Sequence, residues 1–136
     1  MLISVIISTY NRPDALKLIL SAFDTQSDRE FEVIVADDGS KDDTRKVVLQ
    51  KMIDCSYPIT HVYQKDEGFR LARIRNLAAT KAKGDYLIFL DGDCVPRPSF
   101  IACHRRLAQK NFLVAGNRIL LKEKFTKFVL AKQDPI

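Results

Sequence analysis

Strand-like and helix-like segments alternate through about the first ninety residues, and this alternation constrains the fold more than any other feature. Leu2–Ser8 (LISVIIS), Phe31–Ala36, Thr60–Tyr63 and Tyr86–Leu90 are short apolar runs rich in β-branched and aromatic residues, the pattern of buried strands. Between them lie segments with helical spacing. Pro13 suits a helix first turn and Asp14 complements its dipole, with Leu16, Ile19, Leu20 and Phe23 on one face. Ser40 has the chemistry of an N-cap, with Asp42 and Asp43 in the turn that follows. That helix is predicted to reach Ile53 and to bury Val47, Val48 and Met52. A third helix is predicted from Phe69 to Lys83, with Gly84 as its stop. Pro96 and Pro98 then break the chain before a helix at Phe100–Gln109. Phe112–Leu121 supplies a further strand candidate, and the signals beyond it are weak. Strands alternating with helices predict an α/β protein with a parallel sheet and right-handed crossovers.

Ligands of such sheets bind outside the carboxyl ends of the strands. Here those ends carry acids. Asp91-Gly92-Asp93 follows the run Tyr86–Leu90, and Asp37-Asp38 follows Phe31–Ala36. A DxD triplet alone is weak evidence; its place directly after an apolar strand gives it weight. Two carboxylates at a strand end are costly unless a positive charge sits between them, and hard oxygen ligands suit Mg²⁺ or Mn²⁺. Asp93, farther from the strand, is the first candidate for direct coordination. Asp91 coordinates, acts through water or binds a ribose hydroxyl. Asp38 can accept from a base N–H such as that of uracil, a group cytosine lacks. Asp37 is the weaker candidate and braces the loop, where Gly39 permits positive φ. In the loop Ser8–Arg12, Tyr10 can stack on a base and Arg12 can meet a phosphate. Arg75 falls on the core-facing stripe Leu71, Ile74, Ala78 and Ala82, so it needs an anionic partner: a ligand diphosphate, or Asp37 or Asp91. Arg70 and Arg73 point elsewhere, as ordinary surface charge.

The 136 residues suffice for one domain with a real core, and the composition, 46% hydrophobic and 29% charged, is that of a globular protein. The net charge of +5 suits an anionic partner without choosing one. No recognition helix or aromatic–basic motif supports nucleic acid. Cys55, Cys94 and Cys103 show neither zinc-site nor disulfide spacing, which fits reduced thiols in the cytoplasm. Cys94 sits beside acids that disfavour its thiolate. His61 and His104 are isolated, and no Ser-His-Asp or Cys-His arrangement can be argued. Neither GxGxxG nor GxxxxGK[ST] is present. No signal peptide or membrane-spanning run is visible.

The segments VIISTYNRPDAL, VIVADDGSKDDT and DEGFRLARIRNLAATKAKGDYLIFLDGDCVP, in this order, resemble the inverting family 2 glycosyltransferases of GT-A fold, and the last resembles bacterial polysaccharide and chondroitin-type synthases. The resemblance implies a Rossmann-like, mostly parallel sheet flanked by helices, incomplete on its C-terminal acceptor side. Residues 1–98 would be the donor-binding core and 99–136 the truncated start of the acceptor half of a single domain. It implies a UDP-sugar donor, with UDP-N-acetylhexosamine or UDP-glucuronate common in such enzymes, and a glycan or lipid-linked acceptor. Ser8, Tyr10 and Arg12 would line the nucleotide pocket, Asp38 would read uracil, and Arg75 would lie near the nucleotide or diphosphate. Asp91 and Asp93 would hold the ribose and Mn²⁺ or Mg²⁺. The family's general base lies well beyond the DxD. Glu123 and Asp134 are the only acids after Pro98, and neither sits in a recognisable motif, so the catalytic base is unidentified. A donor-binding module without transfer activity is therefore the alternative expectation. A nucleotidyltransferase is a further one, although it would need a Gly-rich basic loop where Ser8–Arg12 has no glycine. Phe125, Phe128 and Val129 form a candidate apolar patch for self-association or peripheral attachment to the inner face of a membrane.

Overall fold

A computed structural model describes residues 1–135. Its elements, in order, are β1 (Ile3–Thr9), α1 (Pro13–Asp24), β2 (Phe31–Asp37), α2 (Asp42–Asp54), β3 (Ile59–Tyr63), α3 (Leu71–Ala79), β4 (Tyr86–Asp91), α4 (Phe100–Leu107) and α5 (Glu123–Lys132). The four strands form one sheet in the order β3-β2-β1-β4, and every neighbouring pair is parallel. The expected α/β architecture is thus present, with β1 in the middle.

Both faces of the sheet are covered, which explains the continuous apolar character of β1 and β2. On one face Ile3, Val5 and Ile7 pack with Val33, Val35, Ile88 and the α1 residues Leu16, Ile19, Leu20 and Phe23. On the other, Ile6, Ile34, Ala36 and Val62 meet Ile74 and Ala78 of α3. Ile6 and Ile74 are fully buried, so each contributes roughly 1.5–3 kcal/mol of hydrophobic burial. The buried Glu32 accepts from Ser4 Oγ at 2.6 Å and the Lys83 N–H at 2.7 Å, so its carboxylate is satisfied.

Four local expectations are corrected. Ser40 does not cap α2; Lys41 is the capping position and makes no side-chain cap bond, while Asp43 Oδ1 accepts from the Thr44 N–H at 2.9 Å. Met52 is partly exposed rather than core, because α2 buries chiefly Thr44 and Val48. α3 ends at Ala79, not Lys83. Its continuation tightens into turns closed by Lys81 N–H to Ala78 O and Ala82 N–H to Ala79 O, while Gly84 passes against Ser4, where a Cβ would stand 2.5 Å from Oγ. Phe112–Leu121 forms no strand: it pairs with none of the sheet, and Leu113, Ile119 and Leu120 are at least 80% exposed. Apolar, β-branched composition makes a strand only where the segment joins a sheet edge, and this one joins neither β3 nor β4.

The C-terminal patch is also different from its expectation. Phe125 and Phe128 stack at 6.1 Å and stay partly exposed, but Val129 is 4% exposed. Among the described residues, no helix is long and apolar enough to cross a membrane.

Candidate functional site

The sheet register brings the acidic strand ends together. Thr9 pairs with Asp37 across β1 and β2, and Ser8 pairs with Asp91 across β1 and β4. The loops that leave these ends enclose an open cleft of about 500 Å³. Ser8, Tyr10, Arg12, Asp38, Asp91 and Asp93 all line it. Asp38 and Asp93 therefore share one hollow, although more than fifty residues separate them.

The first two loops are locked to each other. Asn11 takes a left-handed conformation (φ 48°) that Asn tolerates better than most residues. Its N–H donates to Ser40 Oγ at 2.9 Å, and its side-chain oxygen accepts from the Lys41 N–H at 2.8 Å. The Asp38 N–H donates to Thr9 O at 3.0 Å. The Ser40 hydroxyl is thus occupied by the neighbouring loop. Gly39 sits at φ 90°, and a Cβ there would stand 2.5 Å from backbone atoms of Asp66. Only glycine lets the loop after β3 approach this closely.

The two acids of the β2 end have different surroundings. Asp37 is 1% exposed. It accepts from the Ser40 N–H at 2.9 Å and meets His61 Nε2 at 2.9 Å. Burial pushes its carboxyl up, but His61 and Ser40 outweigh that and hold it below the usual range. Asp37 braces the loop, as expected, and His61 is its partner. Asp38 faces the cleft. Its Oδ1 accepts from Gln64 Nε2 at 2.6 Å and its Oδ2 from the Arg70 N–H at 2.9 Å.

Of the other acids lining the cleft, Asp91 and Asp93 are exposed, and a carboxylate oxygen of each lies within 4.8 Å of the other and of Cys94 Sγ. Gly92 packs so tightly that a Cβ would stand 2.3 Å from Ser8 O. Burial, then the charge of Asp93, raises the Cys94 thiol, which keeps it a poor nucleophile and a poor ligand for a hard ion. What remains is two carboxylates on an open wall. That donor set fits Mg²⁺ or Mn²⁺, which take one or two carboxylates and complete their shell with substrate phosphates.

Arg75 is not among the lining residues. Its Nη2 donates to Asp91 Oδ1 at 2.6 Å and to Ser8 Oγ at 3.4 Å, both on the cleft wall. Of the two carboxylates among the partners left open by sequence, Asp91 is the one it meets. Arg12 Nε pairs with Asp14 at 3.1 Å on the surface. Arg70 is more than surface charge: its N–H holds Asp38 and its guanidinium bonds Lys65 O. The Tyr10 hydroxyl donates to Asp66 Oδ2 at 2.9 Å, and that bond raises the phenol above its ordinary value.

Sequence reasoning missed Asp66, Phe69 and Leu71 on the cleft wall, and Gln64 behind it. The available signal was topological: the loop after β3 leaves the same sheet edge as Asp37 and Asp91.

The sequence profile of Glycosyl transferase family 2 matches residues 4–134. Chondroitin synthase of Escherichia coli is 37% identical over 106 residues, which is 77% of this chain and 15% of that protein. Among solved structures, mannosyltransferase PcManGT from Pyrobaculum calidifontis, in complex with GDP-Man and Mn²⁺, superposes with a TM-score of 0.71. The identity is 26%, over 79% of this chain and 32% of that one. S. aureus TarS 1–349 in complex with UDP-GlcNAc gives a TM-score of 0.64 at 27% identity, covering 78% of this chain and 30% of that one. The chain thus spans about a third or less of each of these proteins.

Proposed function

We propose that this chain, which belongs to glycosyl transferase family 2, carries the donor site of a metal-dependent, inverting UDP-sugar glycosyltransferase. One observation carries the reading: acids from two strand ends, Asp38 and the Asp91/Asp93 pair, line one cleft together with Tyr10 and Arg12. That set of groups suits a base and a diphosphate in the same cleft. Asp38 accepts the imide N–H of uracil, and the Tyr10 ring stacks on the base. Asp91 takes the ribose or the metal, with Arg75 holding its carboxylate. Asp93, with Asp91, would hold Mn²⁺ or Mg²⁺, and the ion would supply positive charge against the leaving diphosphate. Arg12 adds a further cation at the rim.

In the reaction proposed, a hydroxyl oxygen of a glycan or lipid-linked acceptor bonds to the anomeric carbon. The bond from that carbon to the diphosphate breaks, UDP leaves and the anomeric configuration inverts. The hydroxyl proton goes to a base that none of the residues assigned here provides. The likeness to TarS in complex with UDP-GlcNAc supports a UDP-sugar, and the likeness to the Mn²⁺ complex of PcManGT supports the metal. The family match favours sugar transfer over nucleotide-sugar synthesis.

Calorimetric titration with UDP, GDP and CDP in Mn²⁺ tests the base and the metal together. UDP is expected to bind most tightly, and removing Mn²⁺ is expected to weaken it strongly. Cytosine lacks the N–H that Asp38 needs, whereas guanine has one, so the GDP arm tests the shape of the pocket. Tighter GDP than UDP binding would replace uridine in this reading. Equal binding of all three would remove Asp38 as the base reader.

A further inference from the structure

We infer that Gln64 is a positioning residue for base selection: its side-chain amide fixes the Asp38 carboxylate in the orientation that meets the nucleotide base. This role rests on the donor site proposed above, because it concerns the group that holds Asp38.

Gln64 follows β3 directly and is 6% exposed. Its main-chain N–H donates to Asp37 O at 3.1 Å, so its own position is set by the end of β2. Its Nε2 then serves two acceptors, Asp38 Oδ1 at 2.6 Å and Arg70 O at 3.1 Å. Its Oε1 is buried and has no partner among the described residues. The reverse amide orientation would set Oε1 against both of those acceptors, so the donor must face Asp38. A buried amide oxygen left unpaired is a cost, and the molecule bears it while both N–H groups of Gln64 are engaged.

The second brace is the Arg70 N–H on Asp38 Oδ2. One donor on each oxygen fixes the plane of the carboxylate and leaves each oxygen further acceptor capacity toward the cleft. An ionised carboxylate so held offers only acceptors, which matches the uracil N3–H and opposes the bare N3 of cytosine. Without the Gln64 amide, Asp38 can turn about its own side-chain bonds, and the match to uracil is lost while CDP has nothing to lose. A residue that merely packed the loop would change both affinities alike.

The experiment is calorimetry of UDP and of CDP in Mn²⁺ on the wild-type chain and on Gln64→Leu, Gln64→Glu and Asp38→Asn, with thermal melting of each. Gln64→Leu is expected to weaken UDP about tenfold and leave CDP nearly unchanged, so the UDP preference falls by that factor. Gln64→Glu sets a second carboxylate against Asp38; such a pair retains a proton between its oxygens, which lowers the negative charge that Asp38 offers the uracil N–H, so UDP weakens more than CDP and the preference narrows. If the leucine variant does not fold, the nearly isosteric glutamate variant decides alone. An unchanged preference in the Gln64 variants, with Asp38→Asn erasing it, overturns the role of Gln64 and leaves the donor site standing. An unchanged preference in Asp38→Asn as well overturns the donor-site reading and this role with it.

Discussion

Asp93→Ala is expected to abolish the Mn²⁺ dependence of UDP binding and to weaken UDP in Mn²⁺ on the order of 100-fold, because metal bridging of a diphosphate contributes several kcal/mol. The side chain is exposed on the cleft wall, and among the described residues the only bond it accepts is a weak one from Cys94 Sγ at 3.5 Å. Its loss leaves no buried group unpaired, so the melting temperature should hardly move; exposed substitutions of this kind stay within about 0.5 kcal/mol. Asp91 remains, but Arg75 already draws on one of its oxygens, and a single partly neutralised carboxylate is a poor anchor for a divalent cation. Calorimetry with and without Mn²⁺ reads the effect directly. A variant that keeps full Mn²⁺ dependence would show that the ion sits elsewhere, or that the binding is not metal-assisted.

Gly39→Ala carries the largest expected stability effect, a loss of about 3 kcal/mol. It combines the cost of a left-handed conformation for a residue with a Cβ, about 1–2 kcal/mol, with overpacking against neighbouring backbone. The added carbon would stand 2.5 Å from Asp66 Cα and N, so a flexible side-chain tip cannot simply yield. The loop after β3 must move instead. That loop carries Asp66, which bonds Tyr10, and continues to Arg70, whose N–H bonds Asp38. UDP affinity should therefore fall together with the melting temperature, by tenfold or more. Gly68→Ala is the control: it has positive φ as well, but a Cβ there meets nothing within 4 Å. It should cost only the conformational part, about 1–2 kcal/mol.

The acids that were legible in the sequence share one property: topology alone places them. Asp38, Asp91 and Asp93 follow apolar strands, and in a parallel sheet every such end lies on one edge, so their meeting in a cleft follows from the strand pattern. Arg75 was legible because helical spacing set it on an otherwise apolar stripe. The misreadings occurred where tertiary partners outweigh local preference. Ser40 precedes acids as an N-cap does, yet its hydroxyl accepts from Asn11, thirty or so residues away in sequence. Phe112–Leu121 has strand composition but joins neither edge strand of the sheet, β3 or β4. Gly84 looks like a helix stop but owes its place to Ser4. Gln64 and Asp66 lie in a polar run whose composition marks a loop; only the partners across the cleft, Asp38 and Tyr10, give them a role.

A crystal structure of the chain with UDP and Mn²⁺ tests the central claim most directly. The account predicts uracil N3–H within hydrogen-bond distance of an Asp38 oxygen, the Tyr10 ring against the base, and Mn²⁺ joining Asp93 to the diphosphate in the same cleft. UDP bound with its base away from Asp38, or Mn²⁺ bound away from both Asp91 and Asp93, would contradict it.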